Sequence, residues 1–361
     1  MWRIPMLTEK AVSNIFKYAL TFDDLLLMPK YSDIKSRKEV SLSSVMGNQE
    51  YSLPIISSPM DTVTETEMAI TIAKRGGLGI VHRYNTISEQ ASLIREISSK
   101  TDRAAAAVGV TGRFVDRAIA VHSEGARTIC IDVAHGHHSN VEWAIKSIKD
   151  SVIGDSVYLI AGNVAMSDGY LDLSRWGADA VRVGVGGGSI CSTRIQTGHG
   201  VPTLQSVMAC HIARGLNRDS SLTPAVIIAD GGIRNSGDIV KCLAAGADFA
   251  MLGSLLAGTT ESPGAVFQDN SGKKYKVYRG MASVEAQEEW RGFASSLEGV
   301  STTISYKGAV DRILQDMENN IKSGLSYSGA RTIEELRKKC EFIIQTTAGQ
   351  IESSTHIMRV K

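Results

Sequence analysis

The chain has 361 residues, 43% of them hydrophobic, with 39 Lys+Arg against 38 Asp+Glu and a formal charge of +1. That composition excludes a disordered chain, and the charge balance argues against a nucleic-acid surface as its main business. No apolar run is long enough to span a bilayer, and the first twenty residues lack an uninterrupted apolar stretch with a small-residue cleavage site, so no membrane partner is expected.

Short, mostly apolar runs are expected as strands at residues 53–57 (LPIIS), 78–81 (LGIV), 106–110 (AAVGV), 128–132 (TICID), 157–161 (VYLIA), 180–183 (AVRV), 225–229 (AVIIA) and 249–252 (FAML). Between them lie helical patterns, clearest at 64–75, 112–123, 140–147 and 236–245. Strands apolar on both faces belong to parallel sheets covered by helices. Eight of them favour a closed (β/α)8 barrel over an open doubly wound sheet. Gly125-Ala126, Gly177-Ala178 and Gly246-Ala247 each end a helical pattern and lead into a strand, as left-handed helix C-caps do. Residues 1–361 are expected to form one domain, with a surface hairpin at 268–276 and further helices at 309–322 and 332–340. Residues 282–303 show little periodicity and are read as a flap over the site or a surface loop.

The five cysteines, Cys130, Cys191, Cys210, Cys242 and Cys340, are widely spaced and include no CxxC pair. This points away from zinc and disulfides and toward a reducing, cytoplasmic setting. Cys191 stands apart, because it follows a glycine-rich turn in residues 184–202, GVGGGSICSTRIQTGHGVP. Glycines there let the backbone bend sharply and present its polar groups to a ligand, and a thiol beside such a turn is a candidate nucleophile. His135, His137 and His138 are close together, but no carboxylate-rich second motif supports a metal site, and a loop or helix-start role is expected.

These stretches resemble the IMP dehydrogenase/GMP reductase family, and the resemblance runs from LTFDDLLLMP at Leu20 to Thr346. It includes SSPMDTVTE from Ser57, GLGIVHR from Gly77, DVAHGH from Asp132, AGNVA from Ala161, the cysteine loop, ADGGIRNSGDI from Ala229, MLGSLLAG from Met251 and YRGMAS from Tyr278. The resemblance implies a TIM barrel, assembled as a homotetramer, that acts on a purine nucleotide. It implies Cys191 as nucleophile, with Thr193 and Glu298 as the candidate proton donors. It places the nucleotide on Ser58, Met60, Ser189, Asp230, Gly232, Gly253, Ser254, Tyr278, Met281 and Ala282. Asp132 and Asn163 would face the dinucleotide. Main-chain carbonyls of Gly186, Gly188 and Cys191 would hold potassium, although the family's usual proline between those glycines is Gly187 here.

The paired CBS modules common in the dehydrogenases are absent, since 87–103 run directly into the next strand. The dehydrogenases activate water with an adjacent Arg-Tyr pair in a long flap. Between Met281 and Tyr306 no such pair occurs, and Arg291 is followed by Gly292 and Phe293. The expected activity is therefore GMP reductase with NADPH. The alternatives are IMP dehydrogenase with NAD, with Arg291 alone as base, and a catalytically silent nucleotide-binding regulator.

Overall fold

The computed structural model describes residues 18–217, 223–295 and 297–353. Eight parallel strands close into a barrel: β1 (Ile55–Ser57), β2 (Leu78–Val81), β3 (Ala104–Val108), β4 (Thr128–Asp132), β5 (Tyr158–Val164), β6 (Ala180–Val183), β7 (Val226–Asp230) and β8 (Phe249–Leu252). Closure comes from β8 pairing with β1, Met251 opposite Ile56 and Leu252 opposite Ser57. The strands alternate between two cores. In β3, Ala105 and Ala107 face the barrel interior beside Ile80, Cys130 and Ile228, while Ala104, Ala106 and Val108 face the helices. Both faces are covered, which is why these runs carry no polar alternation.

The outer layer is α1 (Thr66–Lys74), α2 (Ile87–Ser98), α3 (Phe114–Ser123), α4 (Ser139–Lys149), α5 (Ser167–Trp176), a short α6 (Thr193–Thr197), α7 (Thr203–Leu216) and α8 (Ser236–Ala244). Gly125, Gly177 and Gly246 have φ of 110°, 110° and 115°, the left-handed geometry expected of the repeated Gly-Ala pairs. The hairpin Ser44–Met46 and Gln49–Tyr51 closes the N-terminal mouth, where Tyr51 meets Phe249 edge-on with ring centroids 5.4 Å apart.

Three readings need correction. The third strand begins at Ala104 and ends at Val108, because the alanines pair with Gly79 and Val81 of β2 and the chain leaves the barrel at Gly109. The fifth strand continues to Val164, so Asn163 lies within it rather than after it. The flap is not a featureless loop. It contains α9 (Val284–Arg291), whose first turn is capped by the Ser283 hydroxyl and which stops at Gly292 with φ of 78°. The hairpin after β8 is present as β9 (Phe267–Gln268) with β10 (Lys274–Arg279), and β11 (Ser301–Ser305) adds a third strand to it. Helix α10 (Val310–Tyr327) then packs against α8 and α1 to complete the ring, and α11 (Ile333–Lys339) follows.

Candidate active site

The C-terminal ends of the strands surround a cavity of about 480 Å³. Its wall includes Ser58, Met60, Asp132, Asn163, Gly186, Gly188, Ser189, Cys191, Thr193, Asp230, Gly232, Gly253, Ser254, Tyr278, Met281, Ala282 and Glu298. Every residue that the family resemblance assigned to nucleotide, dinucleotide, catalysis or cation is therefore gathered around one space, whereas Arg291 and the three histidines are not among its lining residues. The barrel explains this convergence, since strand ends far apart in the chain open onto one face.

The cysteine loop leaves β6 at Gly184, whose φ is 146° and where an added Cβ would lie 1.9 Å from the Asp230 carbonyl oxygen. Only glycine lets the loop pass the end of β7 this closely. Cys191 N donates to Gly188 O at 3.2 Å and closes the turn that presents the thiol. The Cys191 thiol donates to Thr193 Oγ1 at 3.1 Å, and Thr193 Oγ1 donates to Glu298 Oε2 at 2.8 Å. Glu298 reaches this position because the flap is stitched to the loop through main-chain bonds. Ser192 N donates to Glu298 O at 2.9 Å, and Val300 N donates to Ile190 O at 3.0 Å. The other four thiols are structural. Burial pushes Cys130 up to about 12 and Cys340 up to about 11, and raises Cys210 and Cys242 further. A protonated, buried thiol is a poor nucleophile. Cys191 is only half-buried and faces the cavity.

Elsewhere on the cavity wall, Gly253 is a meeting point. A Cβ there would lie 3.1 Å from Tyr278 Oη, 3.4 Å from Met60 Sδ and 3.6 Å from Ser58 Oγ. Ser189 Oγ is 3.4 Å from Tyr278 Oη, and burial raises the Tyr278 pKa, so the phenol remains a donor. Glycine turns at Gly232 and Gly253 with hydroxyls from Ser189, Ser254 and Tyr278 form a donor-rich end, a shape that suits a phosphate.

The floor contains a group that sequence reasoning missed. Arg182, on β6, is buried and bridges the ends of two other strands, donating to Asp132 and to Asp230 Oδ2, the latter at 2.8 Å. The two carboxylates raise its pKa well above the usual value despite the opposing effect of burial. Gly162 makes room for it, since a Cβ there would fall 2.6 Å from Arg182 Cβ. Asn163 is the extra residue where the β5–β6 register shifts, and such a bulge re-aims a side chain. Its Nδ2 donates to Gly184 O and Asp230 Oδ2, both at 2.8 Å, while its buried Oδ1 has no partner. The signal for Arg182 was legible: one charge inside an apolar strand, with aspartates ending the neighbouring β7 and, one strand further round the barrel, β4. Gln287 was missed as well. It donates to Ala282 O at 3.1 Å and accepts from Ser295 N at 3.0 Å, so it ties the two ends of the flap together.

A dinucleotide fits the groups present. The orphaned Asn163 Oδ1 can accept from a carboxamide, and Asp132 lines the same side of the cavity. Potassium fits less well. Gly188 O is already engaged by Cys191 N at 3.2 Å, and the Arg194 side chain, itself cationic, lies against Gly186, with its Cγ 2.7 Å from where a Cβ would be. Among the described residues no cluster of three or more His, Cys, Asp or Glu side chains is arranged for a metal. The histidines do other work: His138 caps α4 by accepting from Asn140 N, and His137 pairs with Asp172. No helix among the described residues is long and apolar enough to cross a membrane.

Comparison with known proteins agrees with this architecture. Residues 19–356 match the model of the IMP dehydrogenase / GMP reductase domain. An inosine-5′-monophosphate dehydrogenase of Nitrosopumilus maritimus (strain SCM1) is 33% identical over 480 residues, covering 94% of this chain and 98% of the relative. One from Cryptosporidium parvum is 35% identical over 403 residues, covering 96% and 97%. Among solved structures, a variant GMP reductase from Trypanosoma brucei in complex with guanosine 5′-monophosphate superposes with a TM-score of 0.87 at 30% identity, covering 94% of this chain and 98% of that one. With the match spanning nearly the whole chain, this protein belongs to the IMP dehydrogenase/GMP reductase family of purine nucleotide oxidoreductases, which use nicotinamide cofactors.

Proposed function

We propose that the chain is a GMP reductase, converting GMP and NADPH to IMP, ammonia and NADP through a covalent bond between Cys191 and purine C2. The observation that carries this reading is the continuous hydrogen-bonded series from Cys191 through Thr193 to Glu298 at the cavity wall. The thiol proton moves to Thr193 Oγ1 as the Thr193 proton moves to Glu298, leaving a thiolate to add at C2. The exocyclic amine must leave as ammonia, so the same proton returns along Thr193 to the departing nitrogen while the C2–N bond breaks. The reduced dinucleotide, when bound, supplies a hydride to C2. The C2–S bond then breaks, the electron pair returns to sulfur, and the thiolate regains a proton from solvent. Asp230 would accept from the ribose hydroxyls, Ser189, Gly232, Gly253, Ser254 and Tyr278 would donate to the 5′-phosphate, and Met281 and Ala282 would border the base. Asp132 and Asn163 would orient the dinucleotide. The protein is read as one catalytic domain working as a homotetramer.

Hydrolysis of the same adduct needs a base that activates water. The flap offers no Arg-Tyr pair, and Arg291 ends α9 directly before Gly292. This supports reduction. The second reading, IMP dehydrogenase with NAD and water, is favoured by the names of the relatives, and the short alignment with the Cryptosporidium parvum protein fits a dehydrogenase without a long insert. Purified protein given GMP with NADPH, and separately IMP with NAD, separates the two. Loss of reduced-cofactor absorbance in the first mixture alone supports the reductase. A gain in the second alone overturns it. Nucleotide binding without change in either supports the silent regulator.

A further inference from the structure

We infer that Lys307 is a positioning residue for the phosphate-binding turn after β8, an inference that rests on the phosphate site proposed above. The turn begins at Gly253, whose carbonyl accepts from both Leu256 N at 3.0 Å and Ala257 N at 2.9 Å. Lys307 follows β11 and lies alongside this segment: its own N donates to Gly258 O at 2.8 Å, and Thr260 N donates to Gly308 O at 2.9 Å. From there its Nζ reaches back to Ser254 O and to Leu255 O, the second at 3.2 Å. Two successive carbonyls are thus turned toward one ammonium. A trans peptide points its N–H opposite to its C=O, so the Leu255 N–H is aimed away from Lys307. Among the described residues neither Ser254 N nor Leu255 N has an acceptor, which leaves donors free beside the donor-rich end of the cavity.

Lys307 is exposed as a residue, and its ammonium is held against two carbonyls of the turn. Loss of water there pulls its pKa down to about 8, with no carboxylate opposing the shift. The nearby charges are otherwise occupied: Glu261 accepts from Val310 N, and Lys276 donates to the carbonyls of Thr259, Thr260 and Ser262. Among the described residues Lys307 is therefore a cation without an ionic partner, held at the back of the turn that carries Gly253 and Ser254. A positive charge there favours an anion on the other side and fixes the peptides that would receive it.

The test compares equilibrium binding of GMP and of guanosine, which lacks the phosphate, to wild type, K307M and K307R, with K307Q in place of K307M if that variant does not fold. The inference predicts about tenfold weaker GMP binding in K307M, unchanged guanosine binding, and recovery of most of the loss in K307R, as for one charge-assisted contact. Unchanged GMP binding, or equal weakening of GMP and guanosine, overturns it. A wild type with no preference for GMP over guanosine overturns the phosphate site itself and this inference with it. A wild type that prefers GMP beside an unaltered K307M overturns this inference alone.

Discussion

Replacing Arg182 with Leu removes a cation that two carboxylates share. The Arg182 side chain is 8% exposed, and those of Asp132 and Asp230 are 17% and 14% exposed, so water screens the pair poorly once the guanidinium is gone. Breaking a buried ion pair by removing one partner costs about 3–5 kcal/mol, because the remaining charge is left uncompensated. Here, among the described residues, Asp230 is left with no cation, while Asp132 keeps only Arg83 at 3.9 Å. The unfolding entropy of roughly 2.1 cal/mol/K per residue over 361 residues is about 0.76 kcal/mol/K, so this cost lowers Tm by about 4–7 °C. The assay is thermal unfolding of wild type and R182L at one scan rate and one protein concentration. A second variant sharpens the test: adding D132N and D230N to R182L removes the orphaned charges and should recover at least half of the lost Tm. A shift under about 1 °C in R182L, or no recovery in the triple variant, would refute the argument that the barrel floor is held by this bridge.

T193V and E298Q each interrupt the proton path while leaving the nucleotide contacts, so kcat should fall about 10²-fold or more with KM little changed; a rise in KM at constant kcat would assign these residues to binding instead. G187P should inactivate the protein, because the Gly187 Cβ position lies 2.6 Å from Thr203 Oγ1, and T203A in the same chain should restore part of the activity; an active G187P single variant would contradict the packing. His211 is held neutral: burial, with Arg214 and Arg337 nearby, depresses its pKa to about 4, and its Nδ1 accepts from Arg214 at 3.0 Å. A depressed base binds fewer protons folded than unfolded, so its contribution is present above about pH 6.5 and is lost as pH falls toward 4. Tm should therefore drop across that window, and less so in H211Q; parallel pH profiles would contradict this.

The barrel was legible because its strands are short, apolar on both faces and separated by repeated Gly-Ala helix stops. These are local signals that the parallel topology merely assembles. The gathering of Ser58, Asp132, Asn163, Cys191 and Asp230 around one cavity followed from their places at strand ends. What sequence missed depended on contacts across the barrel. Arg182 matters only because its side chain reaches both Asp230 at the end of the neighbouring β7 and Asp132 at the end of β4, beyond β5. Helix α9 escaped notice because VEAQEEWR carries almost no apolar face; its signals were Ser283 as N-cap and Gly292 as stop. Trp290 on that helix docks on Tyr84 at 5.9 Å between ring centroids, and Arg117 lies over the Trp290 ring, so the flap is anchored by residues far away in sequence. The bulge that turns Asn163 inward is equally invisible before β5 and β6 are paired.

The most direct test weighs the Cys191 peptide from protein quenched during turnover with GMP and NADPH, with C191A handled identically. A purine nucleotide mass on that peptide, absent from C191A, is the predicted result. Turnover in which the Cys191 peptide never carries nucleotide, or in which C191A remains active, would contradict covalent catalysis at this thiol.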